Sequence, residues 1–168
     1  MLKSKRIFFM LFLVLVVLLS GCNGNEKSVS NYYLSLMGES QTWKLTGYEV
    51  VITPESFKAG NGTLHVKNGN KSIVNSFSFE THVVINDKDL VVHTGAVTSA
   101  GMDITEELTG AIEGGTYLNE DGTPITLNEI NNIYMIIEWR GKSESAKERI
   151  NLYIKPNKEQ TFLDSHEN

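Results

Sequence analysis

From Tyr32 onward, apolar and polar residues alternate in short runs broken by Gly, Asn, Asp and Pro. A repeat of two puts successive side chains on opposite faces of an extended chain, as in strands with one buried face. The pattern predicts a strand over 32–37, ended by Gly38, and another over 41–53 carrying Trp43, Leu45, Val50 and Ile52. The apolar phase slips at Gly47-Tyr48, where a β-bulge is expected. Residues 55–61 read as a loop with room for one helical turn, 63–67 as a short strand, and Asn68-Gly69-Asn70-Lys71 as a hairpin turn. The longest predicted strand, 72–85, has Ile73, Phe77, Phe79 and Val83 on one face and Ser76, Ser78, Glu80 and His82 on the other. Phe77 and Phe79 are therefore expected to pack against Trp43 or Trp139 of a facing sheet.

A turn over 86–89 should return the chain as a strand over 90–97, followed by a loop over 98–103. Residues 104–117 are ambiguous. Asp103 with Glu106 has the spacing of a capping box, but Gly110, Gly114 and Gly115 with Thr109, Thr116 and Tyr117 favour strand with bulges. A turn over 119–124, a single helical turn over 127–131, and strands over 133–139 and 149–155 complete the pattern. About eight or nine short strands without a long helix predict an all-β, antiparallel sandwich or barrel, and an immunoglobulin-like sandwich fits the size best. One domain is expected over 31–156, with a polar tail over 157–168.

The beginning of the chain follows another rule. Lys3, Lys5 and Arg6 precede an apolar run over 7–19, which leads into Leu19-Ser20-Gly21-Cys22. Cationic, apolar and then small residues are the order of a secretory signal peptide, and the run is short for a spanning helix, which needs roughly 20 residues. The four residues ending in Cys22 resemble the lipobox of bacterial prolipoproteins. That resemblance implies a diacylglyceryl group on the Cys22 sulfur, palmitate-type acylation, and cleavage by signal peptidase II between Gly21 and Cys22. Residues 1–21 would then be the signal peptide and 22–30, polar and rich in Gly and Asn, a flexible tether on the extracytoplasmic face of the cell membrane. Gly38-Glu39-Ser40-Gln41-Thr42-Trp43 and Ile133-Tyr134-Met135-Ile136-Ile137-Glu138-Trp139 are similar to segments of small uncharacterised Gram-positive lipoproteins, a resemblance that implies location and fold only.

Removing those 21 residues from 168 leaves 147, and it removes three cations, so the net charge moves from −5 to −8. Acidity of that size argues against nucleic acid as a partner and against attraction to anionic lipid headgroups. Cys22 is the single cysteine, so its lipidation would leave no thiol for catalysis, disulfides or metal. No Gly-x-Ser-x-Gly, His-Glu-x-x-His, phosphate-binding glycine loop or Cys-x-x-Cys occurs in the sequence. The histidines are the remaining chemistry. With 86–89 as a four-residue turn, Ile85 faces Leu90 and His82 faces His93, close enough for two imidazoles to hold one divalent ion weakly. His65 would pair near Val74, far from them.

The expected function is a membrane-anchored extracytoplasmic lipoprotein with a non-catalytic binding or structural module, without a cofactor. Its partners would be the membrane, through Cys22, and a cell-surface protein or glycan. The alternative is a metal or small-molecule binder using the histidine-bearing sheet face. A cell-envelope enzyme is less supported.

Overall fold

A computed structural model describes residues 31–67, 72–141 and 145–156. The lipobox with Cys22, the tether, the Asn68-Gly69-Asn70-Lys71 signal and the tail from 157 lie outside the described residues. The described chain is all-β, with one 3₁₀ turn and two antiparallel sheets. The strands are β1 (Tyr32–Glu39), β2 (Trp43–Ile52), β3 (Ser56–Gly60), β4 (Thr63–Val66), β5 (Ile73–Ile85), β6 (Lys88–Asp103), β7 (Glu106–Leu108), β8 (Ala111–Gly115), β9 (Ile130–Arg140) and β10 (Ser145–Ile154). β2 lies inside the first sheet, with β1 on one side and β3 and β4 on the other; β4 then pairs β7, and β3 pairs β8. The second sheet runs β10-β9-β5-β6.

β3 with β4, and β7 with β8, are two extended strands each broken once. The breaks align across the sheet at Gly47, at Gly60-Asn61 and at Gly110, all with positive φ. Thr109 staples the break: its Oγ1 accepts from the Gly62 N–H at 3.0 Å and approaches the Gly62 carbonyl at 3.2 Å. Gly62 leaves room for what lies beneath, since a Cβ there would sit 2.9 Å from the Tyr48 ring.

The core between the sheets is apolar and contains Trp43, Leu45, Val50, Ile52, Phe57 and Leu64 from the first sheet. Val83, Ile133, Met135, Ile137 and Ile150 come from the second. Phe77 and Phe79 are buried as expected, and the Phe77 ring lies 5.4 Å from Trp43. Ile73 is exposed instead, because β5 and β6 slip register between Val74 and Ser76 and turn Val74 inward. Trp139 is partly buried and meets Trp43 edge-on at 5.7 Å.

Several local expectations need correction. Residues 56–60 form β3 rather than a loop, held between β2 and β8 with Phe57 and Ala59 inward. β4 pairs β2 and β7 and not β5, so His65 lies opposite Lys44 and Glu106, away from Val74. Residues 98–103 continue β6. The capping box falls at Thr126 and Glu129, while Asp103 accepts from the Thr105 N–H and hydroxyl.

Candidate functional site

The Asn86-Asp87 turn sets the geometry around the histidines. Both residues have positive φ, at 48° and 63°, so two residues close the hairpin and Ile85 pairs Lys88. β6 then carries one extra residue, Val92: His82 pairs Val91, but Thr81 pairs His93. A one-residue slip moves a side chain to the other face. His82 therefore lies on the outer face of the second sheet and His93 points into the core at 4% exposure. The two do not face each other, which corrects the expectation that they share an ion. Among the described residues, no group of three or more His, Cys, Asp or Glu side chains is placed to hold a metal.

His82 instead belongs to a row that crosses all four strands of the second sheet. Its ring stacks on Tyr134 of β9 at 4.6 Å between centroids and 9° between planes. The Arg149 guanidinium of β10 lies 3.5 Å from the centre of the same tyrosine ring. Asp89 of β6 closes the row by accepting from the Tyr134 hydroxyl and, at 2.9 Å, from the His82 Nδ1–H. On the other side of the ring, Nε2 faces the Glu80 carboxylate at 3.5 Å. The Tyr134 hydrogen bond, reinforced by His82, holds the Asp89 carboxyl below its ordinary range. Burial, and then the Asp89 charge, push the Tyr134 phenol up. The result is a fixed row in which the exposed Arg149 and Asp89 hold the largely covered Tyr134–His82 stack in place.

His93 sits in a second arrangement, enclosed between the sheets. The Tyr48 hydroxyl donates to Thr81 Oγ1 at 3.1 Å and lies 2.9 Å from His93 Nδ1. The Phe79 ring meets the imidazole edge-on at 5.1 Å. Burial pushes the Tyr48 phenol up to about 12 and pulls His93 below its ordinary 6.5, against a smaller opposing effect of the Thr109 backbone. This is a polar clamp between the sheets, not a surface that ligand can reach.

The depressed His93 value fixes the sign of a pH effect. Above 6.5 both folded and unfolded chains hold the imidazole neutral, and the contribution to stability is complete. As pH falls below 6.5 the unfolded chain takes up a proton that the folded one refuses. Stability then drops, by at most about 1.4 kcal/mol per pH unit, until the folded value is reached. Thermal melts at successive pH values below 6.5 should show this slope in the native protein and a flatter one in His93→Gln. An unchanged slope in the variant would assign the proton elsewhere.

Glu106 and Glu107 face opposite sides of β7. Glu106 pairs with His65 at 3.4 Å, while burial raises the Glu107 carboxyl. Asp87 accepts from the Asn131 amide. A separate cleft of about 600 Å³ opens beside the Asn86-Asp87 turn, between Lys88 and Leu90 on one side and the loop from Tyr117 to Asp121 on the other. Comparison with protein-family models, with curated proteins and with solved structures gives no match to this chain.

Sequence reasoning placed His82 and Glu80 on the outer face but missed Asp89, Tyr134 and Arg149 as their partners. It also missed the Tyr48–Thr81–His93 clamp. Two signals for the true register were available. Asn86-Asp87 is a pair that tolerates positive φ, and Leu90-Val91-Val92 is three apolar residues in succession, which a regular half-buried strand does not need.

Proposed function

We propose that this chain is a lipid-anchored extracytoplasmic protein whose β-sandwich, immunoglobulin-like in build, is a non-catalytic recognition module. The observation that carries the reading is the order of the chain: a lipobox cysteine at position 22, a short polar linker, and a sandwich that starts with β1 at Tyr32. The contact surface is the outer face of the second sheet, with the Arg149–Tyr134–His82–Asp89 row at its centre. Its partner is a cell-surface protein or glycan. The non-catalytic reading is supported by how the histidines are held. His93 is enclosed in the core, and His82 is fixed by Asp89 and Tyr134 with Nε2 covered, so neither is offered for proton transfer.

A photo-crosslinking residue at Val91, exposed on that face, should give adducts of defined mass on intact cells. The same residue at Glu113, exposed on β8 of the first sheet, should not. Equal adducts from both positions, or none from Val91, would contradict the assignment of the face. A second reading is favoured by the cleft. It is lined by half-buried Tyr117 together with Asn86, Lys88, Asn119 and Glu120, a mixed apolar and polar wall that suits a small polar ligand.

A further inference from the structure

The cleft beside the Asn86-Asp87 turn opens at the end of the sandwich where the chain enters from Cys22. Tyr32 begins β1 opposite Ile52, Ile52 lies opposite Phe57 of β3, and the Phe57 ring meets Tyr117 edge-on at 5.1 Å. Tyr117 belongs to one wall of the cleft and Asn86 to the other. Cys22 stands ten residues before Tyr32, a length of chain that spans at most about 35 Å. A chain anchored through Cys22 therefore holds this end of the domain, and the cleft with it, near the membrane surface.

Hydrogen bonds fix both walls. The Asn86 amide donates to the Asn119 carbonyl oxygen at 3.0 Å and Lys88 reaches Glu120 at 3.3 Å, which ties the turn to the loop. The loop is closed on itself by the Asn119 N–H on the Thr123 carbonyl at 2.8 Å and the Ile125 N–H on the Tyr117 carbonyl at 3.0 Å. A carboxamide has two N–H donors and an oxygen that accepts twice, so these contacts leave capacity for a ligand on Asn86 and Asn119. Groups held in place in this way bind with little ordering cost. Half-buried Tyr117 and exposed Leu118 add apolar surface beside them. The volume of about 600 Å³ lies within the usual range of small-molecule sites, about 300–1,000 Å³.

The charges of the lining select the ligand class. Among the described residues that line the cleft, Lys88 is the one cation, and three carboxylates stand against it, which disfavours an anion. Those carboxylates are engaged in turn, Glu120 with Lys88, Asp121 with Thr123 and Glu129 with Thr126, so they hold the walls rather than await a cation. A sugar hydroxyl both donates and accepts, and matches a wall that mixes carboxamides, carboxylates and an ammonium. The C–H face of the sugar ring has Tyr117 and Leu118 to pack on. We propose that the cleft binds a neutral saccharide, met at the membrane surface as a glycolipid headgroup or as part of a cell-surface glycan. The proposal rests on the reading of the cleft as a ligand site and names the class of that ligand.

The test uses the full chain in lipid nanodiscs, with amide hydrogen exchange over 86–90 and 117–121 as the readout. At millimolar concentration, maltose or N,N′-diacetylchitobiose, both neutral disaccharides, should slow exchange in the two segments severalfold, while inorganic phosphate and trilysine should not. Nanodiscs that carry a diglucosyl diacylglycerol separate the sources: protection by that lipid at far lower concentration marks a headgroup, and protection by free disaccharide alone marks a glycan. Asn86→Gly removes a carboxamide yet keeps a residue that accepts the positive φ of the turn, so the fold should survive, as a melting temperature near the native one would establish. That variant should bind the protecting sugar about tenfold more weakly, the loss of one or two hydrogen bonds. Undiminished binding by Asn86→Gly would overturn the proposal. Protection by phosphate or trilysine in place of sugar would overturn the saccharide and leave the cleft a ligand site. No protection by any of these probes would overturn the saccharide and the ligand reading of the cleft together.

Discussion

Phe77→Ala should destabilise the domain by about 3–5 kcal/mol, enough to unfold a marginal sandwich. Phe77 is 4% exposed and stands at the meeting of the two sheets, against Trp43 of the first and paired with Trp139 in the second. Truncation removes a large apolar ring and leaves a cavity beside the Trp43 and Trp139 indoles, which already meet edge-on and are each held by their own strand. Ser78→Ala, one residue on and facing outward, should change stability by less than about 0.5 kcal/mol. Denaturant unfolding of the two variants checks the phase of β5. Similar losses from both would mean that the inner and outer faces have been assigned the wrong way round.

Gly60→Ala should cost about 2–4 kcal/mol, because strain and collision add. The residue has φ of 139°, which side chains rarely adopt. A Cβ there would sit 2.2 Å from the Gly110 carbonyl oxygen and 2.4 Å from the Ala111 Cα. Both are backbone atoms of the neighbouring strand, so no rotamer change relieves the contact. The cheapest escape is to pry β8 away from β3, and amide exchange over 111–115 should accelerate accordingly. Gly114→Ala, with nothing within 4 Å of its Cβ position, should leave stability and exchange unchanged. A Gly60→Ala protein with native exchange in β8 would show that the line of breaks across the first sheet is not a close-packed feature.

The layers were legible in the sequence because burial on one face of a strand writes itself as alternation. Trp43, Leu45, Val50 and Ile52 alternate in β2, as do Phe77, Phe79 and Val83 in β5, and all are in the core. Partnership between strands was less legible. β4 precedes a strong turn signal yet pairs β2 and β7 rather than β5, because which sheet a short strand joins depends on the core that forms around it. β3 was hidden by its length and by its glycine. Only Phe57 and Ala59 of its five residues carry an apolar signal. The candidate site failed on register. One bulge at Val92 separates His82 from His93, and single-residue slips are the feature that alternation constrains least once three apolar residues run together. Asp89, Tyr134 and Arg149 came into view only with the register known, since they lie on three different strands.

The reading of this protein as a tethered recognition module depends most on Cys22. Two acyl chains hold a protein on a bilayer where one does so marginally, since each buried methylene adds about 0.8 kcal/mol. The direct measurement is metabolic labelling with a fatty-acid analogue of cells that express the native chain or Cys22→Ala. The account predicts label in the native protein and none in the variant, which should persist as an unprocessed precursor. Label entering Cys22→Ala at the native level, or no label in the native protein, would contradict it.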